Sequence, residues 1–340
     1  MKFSVGYRLP NEGGSMVDVI RDFREDIAEC YFAMPGDPSG RGVLGVQRGE
    51  LDAEAVAVFW NELRAITALG VRPVLLYNAA CYGKEAVSKV FENYIVQNLH
   101  EVSELLGVAC VTTTSSFVAQ TVRTNFPEIE LRASVNLRLC SETALTYLAP
   151  LYDSFYVAKE LNRDMATLRR MRAWCDAHGK TMHLLANSGC LYHCAWQTEH
   201  DNRVAHEGEI AENESVAQAY PSPCWSHIAQ SENQSQLLKN TWIRPEDVDF
   251  YAEVVNVMKL ATRMHDDPRR VVEAYARRVY RGNLLTLLEP SYLPVMGGVV
   301  VDNTKFPSDW VQRVATCNHQ CRHCGYCEQI WQKVTATGGA

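Results

Sequence analysis

The feature that most limits how this chain folds is a repeated pairing of a short apolar run with a longer amphipathic stretch. Eight such runs, at residues 2–6, 28–33, 73–78, 109–114, 131–136, 155–159, 181–186 and 254–260, are rich in Val, Ala, Leu, Tyr or Thr. They are too continuous to alternate, which is how strands buried on both faces read. The stretches between them carry helix punctuation. Ser15 followed by Asp18 resembles a capping box, and Asp267 with Pro268 opens a helix that Gly282 can close. Eight βα units in order predict an α/β fold, a (β/α)8 TIM-type barrel over residues 1–282. An open doubly wound sheet is the alternative, weakened by the lack of a glycine-rich phosphate loop after the first run.

Composition decides the number of domains. The chain has 340 residues, 47% hydrophobic and 21% charged, enough apolar material for one large core and far from a disordered composition. A net charge of −7 excludes a wholly basic, nucleic-acid-coating surface. Apolar runs stay well short of the ~18 residues of a membrane span, so no membrane partner is expected. The opening MKFSVGYRLPNEGG lacks the features of a secretory signal, which points to the cytoplasm. Twelve cysteines in a reducing compartment point to metal rather than to disulfides.

Two segments depart from an ideal barrel. The connection at 187–245 is far longer than a usual βα loop, and such loops tend to carry function. Residues 283–340 form a tail that holds the densest cysteine cluster and reads as an iron–sulfur-binding extension.

The cysteines divide by context. Cys30, Cys110 and Cys175 have apolar neighbours and read as packing, and Cys140 reads similarly. Cys81 follows YNAA at the carboxyl end of the third run, the active face of a barrel. The other seven are patterned: NSGCLYHC supplies Cys190 and Cys194, SPCWSH supplies Cys224, and CNHQCRHCGYC supplies Cys317, Cys321, Cys324 and Cys327. Four thiols within eleven residues exceed what packing explains, and thiolates so spaced wrap a polynuclear cluster. Structural zinc is the rival; its usual two separated CxxC knuckles are missing, though His319 and His323 are available as ligands. Redox disulfides are a third reading. Seven thiols suit one or two 4Fe–4S clusters, held as four plus three with one iron lacking a cysteine, or closed by Cys81 as an eighth ligand.

These residues resemble the collagenase-like peptidase family U-32. The likeness lies in ASVN at the fifth run, YVAKELNRD at the sixth, NSGCLYHC after the seventh, and WIRPEDVDFY with VMKLATR around the eighth. FSVGY and CYFAMPG fit the same barrel, so the likeness covers most of residues 1–280. The resemblance implies a barrel with an iron–sulfur cluster on the strand-seven loop and its continuation. Cys190 and Cys194 match the family's paired cysteines, and Cys224 matches a third. It also implies oxygen-independent hydroxylation or RNA modification, on nucleobases or a quinone precursor, despite the peptidase name. The tail departs from the family pattern. Its first three cysteines look like the CxxxCxxC of radical S-adenosylmethionine enzymes, although that motif normally follows the first strand of its own barrel.

Polar residues at strand carboxyl ends face a barrel's site. Arg8, Asn78, Thr113, Asn136, Lys159, Glu160, Asn187, Lys259 and Arg263 fall near such ends. Asn136, Lys159 and Glu160 lie in the family-like segments and, with His193 of the cysteine loop, are the candidate catalytic residues. His193, His200 and Glu199 also read as hydrogen-bond partners of cluster sulfurs or as solvated groups. Arg269, Arg270, Arg277, Arg278 and Arg281 read as a solvated helix face, with RNA phosphate contact as the alternative. Trp196, Trp225 and Trp242 pack the long loop or shield a cluster. No GxSxG, HExxH or paired nucleophile–base signature is present.

The expectation is an iron–sulfur enzyme performing redox or hydroxylation chemistry on a small organic substrate or nucleobase, served by an electron-donor protein. The alternatives are a non-catalytic, cluster-carrying electron-transfer subunit paired with a paralogous barrel, an unconventional radical S-adenosylmethionine-type enzyme, and a metal-dependent peptidase.

Overall fold

The computed structural model describes residues 1–39, 53–211 and 222–335. Eight parallel strands close into a barrel in chain order. They are β1 (Lys2–Gly6), β2 (Ile27–Ala33), β3 (Arg72–Tyr77), β4 (Cys110–Thr113), β5 (Glu130–Ala133), β6 (Ser154–Tyr156), β7 (Thr181–Leu185) and β8 (Val257–Leu260). β8 returns to β1 with Met258 opposite Phe3 and Lys259 opposite Ser4. The predicted (β/α)8 barrel is the fold.

Helices α1 (Met16–Asp22), α2 (Ala53–Ala68), α3 (Lys89–Leu106), α4 (Ser116–Asn125), α5 (Glu142–Leu148) and α6 (Met165–Ala177) follow the first six strands. The long connection after β7 carries α7 (Gln197–Ala205), α8 (Glu207–Ala211), α9 (Pro223–Ala229) and 3-10 turns at Ser231–Lys239 and Pro245–Tyr251. Helix α10 (Pro268–Arg277) follows β8, and the tail adds α11 (Trp310–Val314), α12 (Cys321–Cys324) and α13 (Tyr326–Thr335). The tail packs on the connection: Trp310 stacks on Trp242 at 5.8 Å between ring centroids. No described helix is long and apolar enough to cross a membrane.

Local chemistry sets the element ends. Ser15 Oγ accepts from the Val17 N–H at 2.9 Å and starts α1. Asp267 accepts from the Arg270 N–H at 2.9 Å, with Pro268 in the first turn of α10. That helix ends earlier than Gly282, because Arg278 adopts a left-handed φ of 56°. Strands β5 and β6 are shorter than their apolar runs. Ser134 Oγ accepts from the Asn136 N–H at 3.3 Å and turns the chain into a 3-10 helix at Val135–Leu137. A second 3-10 helix at Lys159–Arg163 ends the sixth run. Asn136 and Lys159 therefore stand on turns at the barrel rim. β8 likewise begins late, because the Val254 and Val255 N–H groups both donate to the Tyr251 carbonyl.

The outward faces of the strands are apolar and meet the helices: Phe3 against Tyr275, Phe32 against Phe59, and Phe155 against Trp174. The inward face is not apolar. Arg132, 1% exposed, makes a two-pronged pair with Glu29 across the barrel, at 2.7 and 2.8 Å. It also donates to Glu130 at 2.9 Å and to Ser154 at 3.1 Å, while Arg72 reaches Glu130 at 2.7 Å. Above this network the Tyr156 ring meets the Arg132 guanidinium at 5.6 Å and His183 at 5.3 Å. At the rim, a Cβ on Gly6 would lie 2.7 Å from the Tyr31 ring, so glycine is required for that ring to enter the barrel.

Removing one member of a buried pair leaves a charge without compensation, so Arg132→Met is expected to cost about 3–5 kcal/mol in urea unfolding. The double variant Glu29→Leu/Arg132→Met should recover most of that loss. Burial raises the Glu130 carboxyl, but Arg132, Ser154 and Arg72 together hold it lower, at about 2. A carboxyl depressed in the folded state stabilises above its unfolded value of about 4.3, and that contribution disappears as pH falls toward the folded value. The urea midpoint should thus drop between about pH 4.5 and 2, and Glu130→Gln should flatten that drop.

Candidate functional site

A cavity of about 190 Å³ opens at the carboxyl end of the barrel. Its floor includes Tyr31 and Lys259 from the strands, and its wall includes Asn136, Lys159, Glu160 and Cys190. Helix α7 lies over it: Gln197, His200, Asp201 and Val204, one face of the helix by their spacing, all line the cavity. A polar chain crosses that face. Arg138 pairs with Asp201 at 2.7 Å, Gln197 donates to Asp201 at 2.8 Å, and Lys159 Nζ donates to Gln197 Oε1 at 2.9 Å. Lys159 also hydrogen-bonds Cys190.

Three of the four candidate catalytic residues, Asn136, Lys159 and Glu160, therefore meet in one cavity with Cys190. Asn136 donates to the Asn78 carbonyl at 3.3 Å. His193 is not among the lining residues; it lies edge-on to Tyr192 at 4.2 Å, and Tyr192 stacks on His319 of the tail at 4.5 Å. Of the other rim residues, Arg263 and Asn78 line the cavity. Asn187 is fully buried and ties strand ends together, donating to the Ala261 and Leu287 carbonyls at 3.0 and 2.9 Å. Arg8 is spent on the His265 carbonyl.

The patterned cysteines of the long connection lie near enough to act on one another electrostatically. The Cys224 thiol is raised by burial and then feels, in order, a Tyr292 hydroxyl hydrogen bond, Cys194 and Cys190. Cys194 accepts from the Trp196 N–H, and Tyr292 packs on Trp225 at 5.7 Å. The NSGC segment is held by backbone contact. Gly189 donates to the Glu289 carbonyl at 3.0 Å, and a Cβ there would lie 2.0 Å from the Pro290 oxygen. Only glycine allows that approach.

The tail cysteines Cys317, Cys321, Cys324 and Cys327 line a second cavity of about 170 Å³ with Arg163, Lys239 and His319. Cys327 is pushed up to about 11 by burial. The Arg163 guanidinium is held between Trp242 at 5.2 Å and Trp310 at 5.4 Å, and it donates to the Leu238 carbonyl at 2.7 Å. Its Nε and second terminal nitrogen are buried and have no acceptor among the described residues. Cys327 and Cys317 act on it electrostatically.

Among the described residues no three His, Cys, Asp or Glu side chains converge as one metal ion requires. A polynuclear cluster asks for something wider, because each thiolate holds a different metal atom. Orphaned donors beside the tail thiols fit an anionic group of that kind.

Cys30, Cys110 and Cys175 are buried as expected, whereas Cys140 is exposed, since the chain there has already left the strand layer. Cys81 stands apart from the other thiols. It accepts from the Gly83 N–H at 3.3 Å and hydrogen-bonds His206, whose Nδ1 is 3.0 Å from Glu209. That Gly83 contact, then His206, lowers the Cys81 thiol, and the Cys81 contact followed by Glu209 raises His206. No spacing rule connects residues 81, 206 and 209, so only the fold brings them together.

Four of the five arginines after β8 are spent in ion pairs: Arg269 with Asp22, Arg270 with Asp267, Arg277 with Glu273 and Arg278 with Asp249. Trp242 is buried and donates to the Leu237 carbonyl at 2.9 Å, so it packs the connection.

No family model matches this chain. A protein of Methanocaldococcus jannaschii described as an uncharacterized protease is 24% identical over 329 residues, which cover 96% of this chain and 94% of that protein. Among solved structures, a U32 peptidase superposes with a TM-score of 0.55 at 13% identity, covering 77% of this chain and 93% of its own. The resemblance to the U-32 peptidases read from the sequence is borne out at the level of the fold, a barrel that superposes on that of a U32 peptidase.

Proposed function

We propose that the chain is an enzyme with its reaction site in the barrel-mouth cavity and an iron–sulfur centre on the cavity's edge. Cys190, Cys194 and Cys224 would hold that centre, and Cys317, Cys321, Cys324 and Cys327 a second one in the tail. The reaction class is oxygen-independent redox or hydroxylation chemistry on a small organic substrate or a nucleobase. One observation carries the reading: Cys190 belongs both to the three-thiol group and to the wall of the polar cavity.

A bound 4Fe–4S cluster would supply one-electron transfer. The polypeptide's share is positional. The Tyr292 hydroxyl, the Trp196 N–H and Lys159 each direct a hydrogen bond at one of the three thiols, which would hold the sulfurs in place toward the centre. Trp225 against Tyr292 keeps water from that side. In the tail, Arg163 would place its two unpartnered donors against an anionic centre. Asn136, Glu160 and the polar face of α7 would orient the substrate.

Protein purified without oxygen should contain about eight iron and eight sulfide per chain. Cys321→Ser/Cys324→Ser should reduce both by about half, and Cys194→Ser should remove the remainder and abolish turnover. Iron-free protein after anaerobic reconstitution would sink the reading.

A second reading is favoured by one specific contact set, that of Cys81, His206 and Glu209, together with a relative described as a protease. A thiol lowered by a hydrogen-bonded imidazole, itself oriented by a carboxylate, is the arrangement of a cysteine hydrolase. Hydrolysis of a fluorogenic peptide library that Cys81→Ala abolishes, and that iodoacetamide blocks at Cys81, would establish it. A library left uncleaved by the wild type would remove it.

A further inference from the structure

Lys259 is a buried, ionisable residue of the barrel-mouth cavity that has no part in the proposed reaction. It projects inward from β8 between Met258 and Leu260, both fully buried toward the helix layer, and is itself 8% exposed. Buried lysines are ordinarily paired, because an ammonium loses its hydration on burial. Lys259 Nζ instead faces two rings, Tyr31 at 4.0 Å and Tyr156 at 5.3 Å, and among the described residues no carboxylate or carbonyl accepts from it. Glu29, the carboxylate that favours its charge, is taken by Arg132 through both oxygens. The remaining open direction is the cavity, which Lys259 lines.

Every element around it bears on its charge. Tyr31 and Glu29 face it from β2, Arg132 from β5, Tyr156 from β6 and Arg263 from the end of its own strand. His183 of β7 is neutral, pushed down to about 3 by burial and then by Arg132, and Ser4 of β1 is opposite Lys259 in register. Burial first, then Arg263 and Arg132, brings Lys259 down to about 7, against the smaller opposing effect of Glu29. The two tyrosine faces favour the ammonium and offset part of that shift. A lysine present only as a fixed cation has no need of two neighbouring arginines, whereas a nucleophilic one needs its free lone pair near neutral pH.

We infer that Lys259 is a nucleophilic amine that condenses with the carbonyl group of a small 2-oxo acid in the barrel-mouth cavity, forming a protein-bound imine. The Nζ lone pair attacks the carbonyl carbon and the C=O π pair moves to oxygen. That oxygen takes up the proton released from nitrogen, giving a carbinolamine. A second proton, taken from solvent, lets the hydroxyl leave as water while the nitrogen pair forms C=N, and the iminium N–H then returns a proton to solvent. One amine and one carbonyl thus become one imine and one water, with no oxidant or reductant. Arg263, on the same wall, matches the substrate carboxylate. The inference rests on the cavity being the substrate site but not on either iron–sulfur centre.

The test is reductive trapping on the full chain with pyruvate and sodium cyanoborohydride at neutral pH, followed by peptide mapping. The reduced adduct is expected on Lys259 on the order of a hundredfold faster than on a free lysine side chain in solution, whose amine is unprotonated only near pH ~10.4 and above. The wild-type rate should rise with pH and level off above about 7. Lys259→Arg keeps the charge and bulk and should lose the adduct while the circular dichroism spectrum is unchanged. Acetaldehyde, which lacks the carboxylate, should label Lys259 more slowly than pyruvate. Adducts confined to exposed lysines, with Lys259 unmodified in folded wild-type protein, would overturn the inference, and faster labelling by acetaldehyde would overturn its 2-oxo acid part. Trapping should be equal in iron-loaded and iron-free protein; absence of iron would count against the proposed function alone, and absence of the adduct against this inference alone.

Discussion

The two-pronged pair between Arg132 and Glu29 is the interaction on which the rest of the barrel depends. It joins β5 to β2 across the interior, so it is made only when the sheet has closed. Desolvating two full charges is costly unless every donor and acceptor is used, and here the guanidinium also serves Glu130 and Ser154. A barrel with this floor cannot fill itself with branched aliphatic side chains in the usual way. Its upper layer is built of aromatic rings instead, and those rings set the environment of Lys259.

The site is assembled from three sources that are distant in the chain. The strands supply the floor, the turns after β5 and β6 supply Asn136, Lys159 and Glu160, and the connection after β7 supplies both Cys190 and the polar face of α7. Gly189 is what lets the cysteine loop approach the backbone at Pro290 so closely. The tail reaches the same region through aromatic packing, with Trp310 on Trp242 and His319 on Tyr192. Loops and tail thereby bring cysteine thiols to a barrel whose interior holds a buried lysine.

Much of this was legible in the chain, and the illegible parts have physical causes. Eight apolar runs in βα order announced the barrel, because strands covered on both faces leave a continuous pattern. That same pattern hid the inner face. Glu29 inside AECYFA, Arg132 inside LRAS and Lys259 inside VMKL are single polar residues within apolar runs, and one such residue does not reveal whether it points inward. The patterned cysteines stood out through their spacing, which is local. The Cys81, His206 and Glu209 group did not, because its members share no spacing.

The sequence by itself determined the secondary-structure period, the count of strands and the close spacing of the patterned thiols. Each is a property of neighbours along the chain, where propensity and spacing act. Tertiary structure alone decided that Arg132 meets Glu29, that Lys259 faces two rings instead of a carboxylate, and that Cys190 opens onto the cavity. These depend on barrel closure and on how burial and neighbouring charge change an ionisable group, and both arise only between residues far apart in the chain.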